Sequence, residues 1–323
     1  MSSTEPANPK VSVIIPIYGK AGDLPRLVDA LQAQTLRPYE IILVDSSPKP
    51  IDNPPPGTRL VKNPVDVALS WDYNLGAKEA TGDYILNMQQ DCVPEDKTAL
   101  ERMFKQLHEV PGRVSVVALV TLPVENFLQY NFWGQVLMAR WIGRIRQGIS
   151  GKFDLHRREV FQSIGYYNTA QFHFAGEDMD LFMRLSQKGE VFVSDVEIIH
   201  YHFQSLKTSW VHLVKKHYQV AESFGALFRT WGLGLRRIPY AGHWTHHLAK
   251  YLYCLVPLLP FFPVPAALAI LVGSNLSNME SWRVKSWKTW AYLPLFNVYL
   301  FFVGFLGTAL GLLTGTQRYS QNK

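Results

Sequence analysis

The sequence predicts an α/β fold, a mostly parallel sheet sandwiched by helices, followed by a hydrophobic, membrane-associated helical region. Three observations carry that expectation. Val11–Ile17 and residues 40–44 and 114–120 are near-continuous apolar runs of strand length, as strands buried on both faces should be. Between such runs lie segments with apolar residues at helical spacing, and strand, helix, strand in succession implies right-handed parallel crossovers. Two uncharged stretches, 251–272 and 291–317, follow towards the C-terminal end. The expected division is a disordered start at 1–10, an α/β domain at 11–230 and a membrane-associated region at 231–323.

Taken in order, Gly19 and Gly22 loosen the turn after the first strand. Asp23 is placed to cap a helix whose Leu24, Leu27, Val28 and Leu31 share one face. The second strand ends at Asp45, a proline-rich connection covers 51–57, and 59–62 reads as a third strand. A helix over 68–80 stops before Gly82. Residues 96–108 form another, with Leu100, Met103, Phe104 and Leu107 as its core stripe. Residues 127–147 mix Phe132, Trp133 and Trp141 with Arg140, Arg144 and Arg146; they suit a headgroup layer, the lining of an acceptor groove, or an amphipathic helix packed on the sheet. A helix over 176–189 starts with acidic residues and has Gly189 for a left-handed stop, and two short strands, 190–194 and 196–200, come next. No fixed-period repeat appears, so a solenoid is not expected.

At 323 residues and 47% hydrophobic content the chain can bury a sizeable core. A net charge of +6 fits nucleic acid, acidic lipid or phosphate-bearing substrates. The basic residues from Arg140 onward are interleaved with Trp, Tyr and apolar runs, which suggests a membrane surface and no nucleic-acid partner. Cys92 and Cys254 lie in different regions and offer no disulfide framework. MSSTEPANPK lacks the apolar core of a signal peptide, so the catalytic part is expected on the cytoplasmic face of a membrane.

The stretch richest in chemistry is YILNMQQDCVP, residues 84–94. An apolar strand stops at Gln89, Gln90 and Asp91, and Pro94 bars further pairing. Ligands of open α/β sheets gather beyond the carboxyl ends of strands, so Asp91 is placed to face a divalent metal and a diphosphate. A strand-end turn with a helix cap would use the same residue types.

With the other motifs in view, residues 11–230 resemble inverting glycosyltransferases of family 2, which have the GT-A fold, and in particular membrane-associated, rhamnosyltransferase-like members of polysaccharide assembly. VSVIIPIY is similar to the family's first strand, which implies Pro16 and Tyr18 beside the nucleotide base. ILVDSS is similar to its second, where Asp45 would accept a hydrogen bond from the base. A carboxylate suits the imide N–H of uracil or thymine, hence a UDP- or dTDP-linked donor. DYNLGAKEATGDYIL resembles the stretch before the metal motif: Asn74 and Gly76 match, whereas Tyr73 stands where the family has Arg. QQD occupies the place of the metal-binding Asp-x-Asp, with Gln89 for the first Asp, as Thr-Gln-Asp does in a rhamnosyltransferase-like subgroup. Gln90 and Asp91 would then face the donor, with Mg2+ or Mn2+ on Asp91.

FAGEDMDLFMRL resembles the Glu-Asp motif, which implies Asp178 as the catalytic base and Glu177 as its neighbour on the acceptor side. Acidic residues at a helix start also complement its dipole, and Asp180 with Arg184 reads as an i,i+4 pair. In IIHYHFQSL the resemblance offers His200 or His202 as a metal ligand, although a histidine in a strand is equally read as buried and hydrogen-bonded. SGKFDLHRREVF resembles an acceptor-loop segment, with Arg157 and Arg158 at a helix start. The implied acceptor is a lipid-linked glycan, or a polyprenyl (di)phosphate directly.

About 20 apolar residues cross a bilayer, so 251–272 is long enough, but Pro257, Pro260, Pro263 and Pro265 make a straight helix implausible. Residues 291–317 read as a better helix, and their GFLGTALG permits close packing. Two full spans would put Arg283, Lys285 and Lys288 outside, against the positive-inside tendency; an in-plane or re-entrant hairpin would keep them cytoplasmic. His243, His246 and His247 read as interfacial polar residues near Trp244.

Overall fold

Strand β1 (Val11–Ile17) is buried along its whole length because strands flank it on both sides and helices cover both faces. It is seen in a computed structural model that describes residues 9–19, 24–63, 68–145, 148–202, 206–239 and 248–319. Gly22, Asp23, Arg146, His243, Trp244, His246 and His247 lie outside the described residues. The chain divides into two compact units: residues 1–123, 143–203 and 233–240 make the first, and 124–142, 204–232 and 241–323 the second.

In the first unit, α1 (Leu24–Gln32), β2 (Glu40–Asp45), β3 (Arg59–Lys62), α2 (Leu69–Glu79), β4 (Tyr84–Met88) and β5 (Cys92–Val93) follow β1. Then come α3 (Ala99–Glu109) and β6 (Arg113–Leu122). The second unit takes α4 (Val124–Gln129), α5 (Phe132–Met138) and a 3-10 turn at Ala139–Trp141. The first unit resumes with β7 (Gly143–Ile145), β8 (Phe153–Arg157), α6 (Arg158–Ser163), α7 (Glu177–Ser186) and β9 (Glu190–His200).

Among the described residues the strands form one sheet in the order β3-β2-β1-β4-β8-β6-β9-β5, with β7 beside β6. Strands β1, β2, β3, β4, β6 and β9 share a direction, whereas β5, β7 and β8 run against it. One edge of the sheet therefore gathers the carboxyl ends of β1, β2, β4 and β9 and the amino end of β8.

One face of the sheet packs on the apolar stripes of α1 (Leu24, Leu27, Val28, Leu31) and α3 (Leu100, Met103, Phe104, Leu107), together with Val13, Ile15, Leu86 and Phe153. Each such buried side chain contributes about 1.5–3 kcal/mol. On the other face α2 comes close enough to β1 that a Cβ on Gly76 would overlap the Ile14 side chain, so this glycine is needed for packing.

Several elements differ from the expectation for local reasons. Helix α3 starts at Ala99 rather than residue 96, because the Asp96 carboxylate accepts the Thr98 N–H at 2.8 Å and holds a turn ahead of the helix. The two expected strands after α7 are one, β9; a register shift against β6 absorbs Ser194, whose hydroxyl accepts the Val196 N–H at 2.9 Å. Helix α7 ends at Ser186, and Gly189 is not in the left-handed region. A Cβ there would overlap the Gly112 carbonyl, so close approach, not helix termination, requires the glycine.

The second unit continues with α8 (Trp210–Trp231), α9 (Leu248–Leu252), a 3-10 segment at Tyr253–Leu258, α10 (Pro263–Ser277) and α11 (Trp287–Thr314). The proline-rich stretch 251–272 is thus broken rather than one helix. Gly225 of α8 and Gly307 and Gly311 of α11 let the two backbones touch, since a Cβ at Gly225 or Gly311 would overlap the facing carbonyl. Beyond α11 the chain turns back onto α8: one Glu222 carboxylate oxygen accepts Gln317 Nε2 (3.0 Å), Arg318 N (3.2 Å) and Tyr319 N (2.9 Å). Among the described residues α11 is the one helix long and apolar enough to cross a membrane, by length and composition. It exposes Trp287, Trp290, Leu295 and Leu313.

Candidate active site

The carboxyl edge of the sheet collects most of the candidate residues. Pro16 sits in β1 opposite Val44, and Ile17 opposite Asp45. Tyr18 leaves the strand 44% exposed, and Gln90 clamps its backbone: Tyr18 N donates to Gln90 Oε1 at 3.2 Å, and Gln90 Nε2 donates to Tyr18 O at 3.3 Å. Asp45 is buried and organises the loop after β2, its two oxygens accepting Ser47 N at 2.9 Å and Ile51 N at 2.7 Å. Ser47 in turn accepts the Gly19 N–H at 2.9 Å, which ties the loops after β1 and β2 together.

Beyond β4 the chain carries Asp91 to β9. Its Oδ2 lies 3.3 Å from His200 Nε2, and its carbonyl accepts the Tyr201 N–H at 3.0 Å. Pairing of Cys92 with His200 across β5 and β9 enforces this approach. His202 follows in the left-handed region at φ 46°, an uncommon conformation for a residue with a Cβ, with its ring 5.1 Å from that of His200. Burial pushes the Asp91 pKa up, but the positive fields of His200 and His202 outweigh it and bring it down to about 2. Burial, with His200 beside it, lowers His202 to about 4, whereas burial raises the Cys92 thiol well above its usual range. Near neutral pH the group is a carboxylate, a neutral His202 imidazole and a protonated thiol.

Asp91, Cys92 and His200 bring one potential ligand atom each within 4.8 Å of one another. A carboxylate oxygen and an imidazole nitrogen fit Mg2+ or Mn2+, which leave further positions for water and phosphate oxygens; a protonated thiol does not join that set. The residues present fit a hard divalent cation on Asp91 with His200.

On the sheet face covered by α2 lies a buried polar cluster. Tyr73 and Tyr167 stack at 5.4 Å between ring centres, and Asn87 Nδ2 lies 3.4 Å from the Tyr167 hydroxyl. Asp154, opposite Asn87 on β8, is fully buried and accepts Ser150 N at 2.7 Å and Gly151 N at 2.5 Å. Burial, then the fields of Asp154, Glu177 and Asp178, raise the Tyr167 phenol well above its usual range; burial, Tyr167, Asp154, Cys92 and Asp91 do the same to Tyr73. The field of Asp91 thus reaches Tyr73, and the fields of Glu177 and Asp178 reach Tyr167. Asp178 is the second residue of α7, which Glu177 opens after Gly176, left-handed at φ 85°, and the Asp178 Oδ1 accepts the Met179 N–H at 2.8 Å. A helix N-terminus favours the ionised carboxylate.

Other candidates have structural work. Asn74 clamps Tyr167, donating to its carbonyl and accepting its N–H, each at 2.9 Å. Arg184 pairs with Asp180 at 2.7 Å, as the i,i+4 spacing expects, and also donates to the Ile164 and Tyr166 carbonyls. Arg157 and Arg158 donate to backbone carbonyls at Arg113 and Ala80. Asp154 and Tyr167 were not singled out from the sequence; the available signal was an acid inside the otherwise strand-like FDLH.

Asp154 yields a pH prediction. Burial raises its pKa from 3.8 to about 7, against the two backbone N–H groups, with Asp178 adding to the rise. As pH climbs between those values the unfolded chain releases the proton and the folded one keeps it, so stability falls through that window and levels off above about 7. Asp154→Asn removes the loss. Its unfolding free energy, followed by urea titration from pH 4 to 8, should gain a few kcal/mol on wild type across the window; a difference that does not change with pH would contradict this.

Residues 12–165 match the family described as Glycosyl transferase family 2. The chain is 27% identical over 230 residues to the O-antigen biosynthesis protein RfbC of Myxococcus xanthus, covering 60% of this chain and 17% of that one. It is 24% identical over 200 residues to the O-antigen chain rhamnosyltransferase RfbN of Salmonella typhimurium, covering 56% and 62%. The chain thus spans less than two thirds of the length of either relative. A mannosyltransferase from Pyrobaculum calidifontis, solved with GDP-Man and Mn2+, shares the fold with a TM-score of 0.51 at 14% identity, over 95% of this chain and 87% of that one. Residues 12–165, just under half of the chain, thus form a Glycosyl transferase family 2 domain, in a fold of GT-A type.

Proposed function

We propose that this protein transfers a sugar, with inversion, from a UDP- or dTDP-linked donor to a lipid-linked glycan at the cytoplasmic face of a membrane. The observation that supports it most is a pair of acidic poles, Asp91 with His200 and Asp178 with Glu177, whose fields reach the stacked Tyr73 and Tyr167 rings. Residues 11–230 would form the catalytic part and 231–323 the membrane-associated part. The O-antigen roles named for RfbC and RfbN support the acceptor class. The apolar α11 supports membrane association.

Tyr18 and Pro16 would flank the base, and Asp45 would accept its imide N–H with lone pairs that its loop bonds leave over. Gln90 keeps Tyr18 in place. Asp91 and His200 would hold Mg2+ or Mn2+. When bound, that cation offsets charge on the departing diphosphate. Asp178 takes the proton from the acceptor hydroxyl as its oxygen bonds the anomeric carbon; the bond from that carbon to the phosphate oxygen breaks on the opposite side, and its electron pair leaves with the diphosphate. Glu177, beside it, would face the acceptor.

The test is a transfer assay. Full-length protein with bacterial membrane lipids, Mn2+ and a panel of radiolabelled UDP- and dTDP-sugars should move label into the lipid extract with one donor. Label released only as free sugar, or not moved with any donor, would overturn the reading.

A further inference from the structure

We propose that Lys152 is a donor-diphosphate-binding residue, held at the carboxyl edge of the sheet by a buried turn built for that purpose. This deepens the nucleotide-sugar reading and rests on it. The last β4–β8 pair is Met88 with Phe153, so Lys152 emerges one residue further, beside Gln89. Strand alternation puts it on the face of Asp154 and Asn87, opposite the core-facing Phe153. That is the edge where Asp45, Asp91 and His200 lie.

The turn before Lys152 is fixed from several directions. Asp154 takes the Ser150 and Gly151 N–H groups, the Tyr73 hydroxyl donates to the Gly151 carbonyl at 2.5 Å, and Gln89 Nε2 donates to the Ser150 carbonyl at 3.4 Å. Gly151 is left-handed at φ 68°, and a Cβ there would sit 2.9 Å from the Tyr73 hydroxyl. Tyr73 and Gln89, the two departures from the family pattern, thus hold the same two residues. Tyr73 brings no positive charge, and what the turn presents next is a lysine.

Lys152 is half-buried and enters no ion pair among the described residues. Its positive charge acts on Asp91, His202 and Asp154. Asp91, Glu177 and Asp178 are acidic groups of the candidate site, and a diphosphate there needs positive charge to offset them; lysine binds phosphate as a point charge.

The experiment is calorimetric titration of wild type, Lys152→Gln and Lys152→Arg with UDP and dTDP, and with uridine and thymidine, in EDTA and again in Mn2+. Lys152→Gln should bind the diphosphate about ten- to a hundredfold more weakly in both buffers, with nucleoside affinity unchanged, and Lys152→Arg should recover most of the loss. Equal diphosphate binding by Lys152→Gln overturns the assignment. So does an equal loss for the nucleosides, which would mean that the turn and not the charge matters. Wild type that binds neither UDP nor dTDP in either buffer ends the nucleotide-sugar reading and this inference with it, a result distinct from the other two.

Discussion

Replacing Asp178 by Asn should lower sugar transfer by about 10²–10⁴-fold, the usual contribution of a general base, while leaving nucleotide binding within about twofold of wild type. Asparagine keeps the shape and the acceptor for the Met179 N–H, so the first turn of α7 persists. What disappears is the group able to take a proton. Losing one charge at a helix N-terminus costs about 0.3–1 kcal/mol of stability, too little to explain such a drop through unfolding. Initial rates of label transfer, set beside unfolding midpoints, separate the two causes. An acceptor already ionised as a phosphate needs no base, so undiminished transfer by Asp178→Asn would mean that the sugar goes directly to a polyprenyl phosphate.

Asp91→Asn should have an effect of similar size by another route. The carboxylate is the anionic member of the group that fits a divalent cation, and its field also acts on His202. Removing a group that stabilises charge in a reacting site costs about 10²–10³-fold in rate. The variant should also lose the increment in UDP or dTDP affinity that Mn2+ provides, while its affinity in EDTA stays at the wild-type level or rises, since one negative charge near the diphosphate is gone. Titration with and without Mn2+ reads this directly. A metal increment equal to that of wild type would remove Asp91 from the cation site.

Local pattern made much of the fold legible. The apolar run Val11–Ile17 is β1 with the same bounds, and the helical stripe Leu100, Met103, Phe104 and Leu107 faces the core as its spacing requires. Errors arose where a side chain overrode propensity, as Asp96 does ahead of α3 and Ser194 within β9, or where a glycine answered a distant neighbour, as Gly189 does the Gly112 carbonyl. At the candidate site, periodicity put Asp91 at a strand end. It could not reveal that β5–β9 pairing brings His200 to it, that Asn74 grips Tyr167 across 93 positions of sequence, or that Asp154 fixes the turn before β8. These are long-range contacts, and a single sequence carries no local signature of them.

The most direct test of the two-pole site is a crystal of the full-length protein grown with UDP and Mn2+ and measured for anomalous scattering. The expected map has one manganese peak bonded to the Asp91 carboxylate, with the UDP diphosphate on it and its terminal phosphate directed towards Asp178. A nucleotide bound elsewhere, or a manganese peak away from Asp91, would contradict the account.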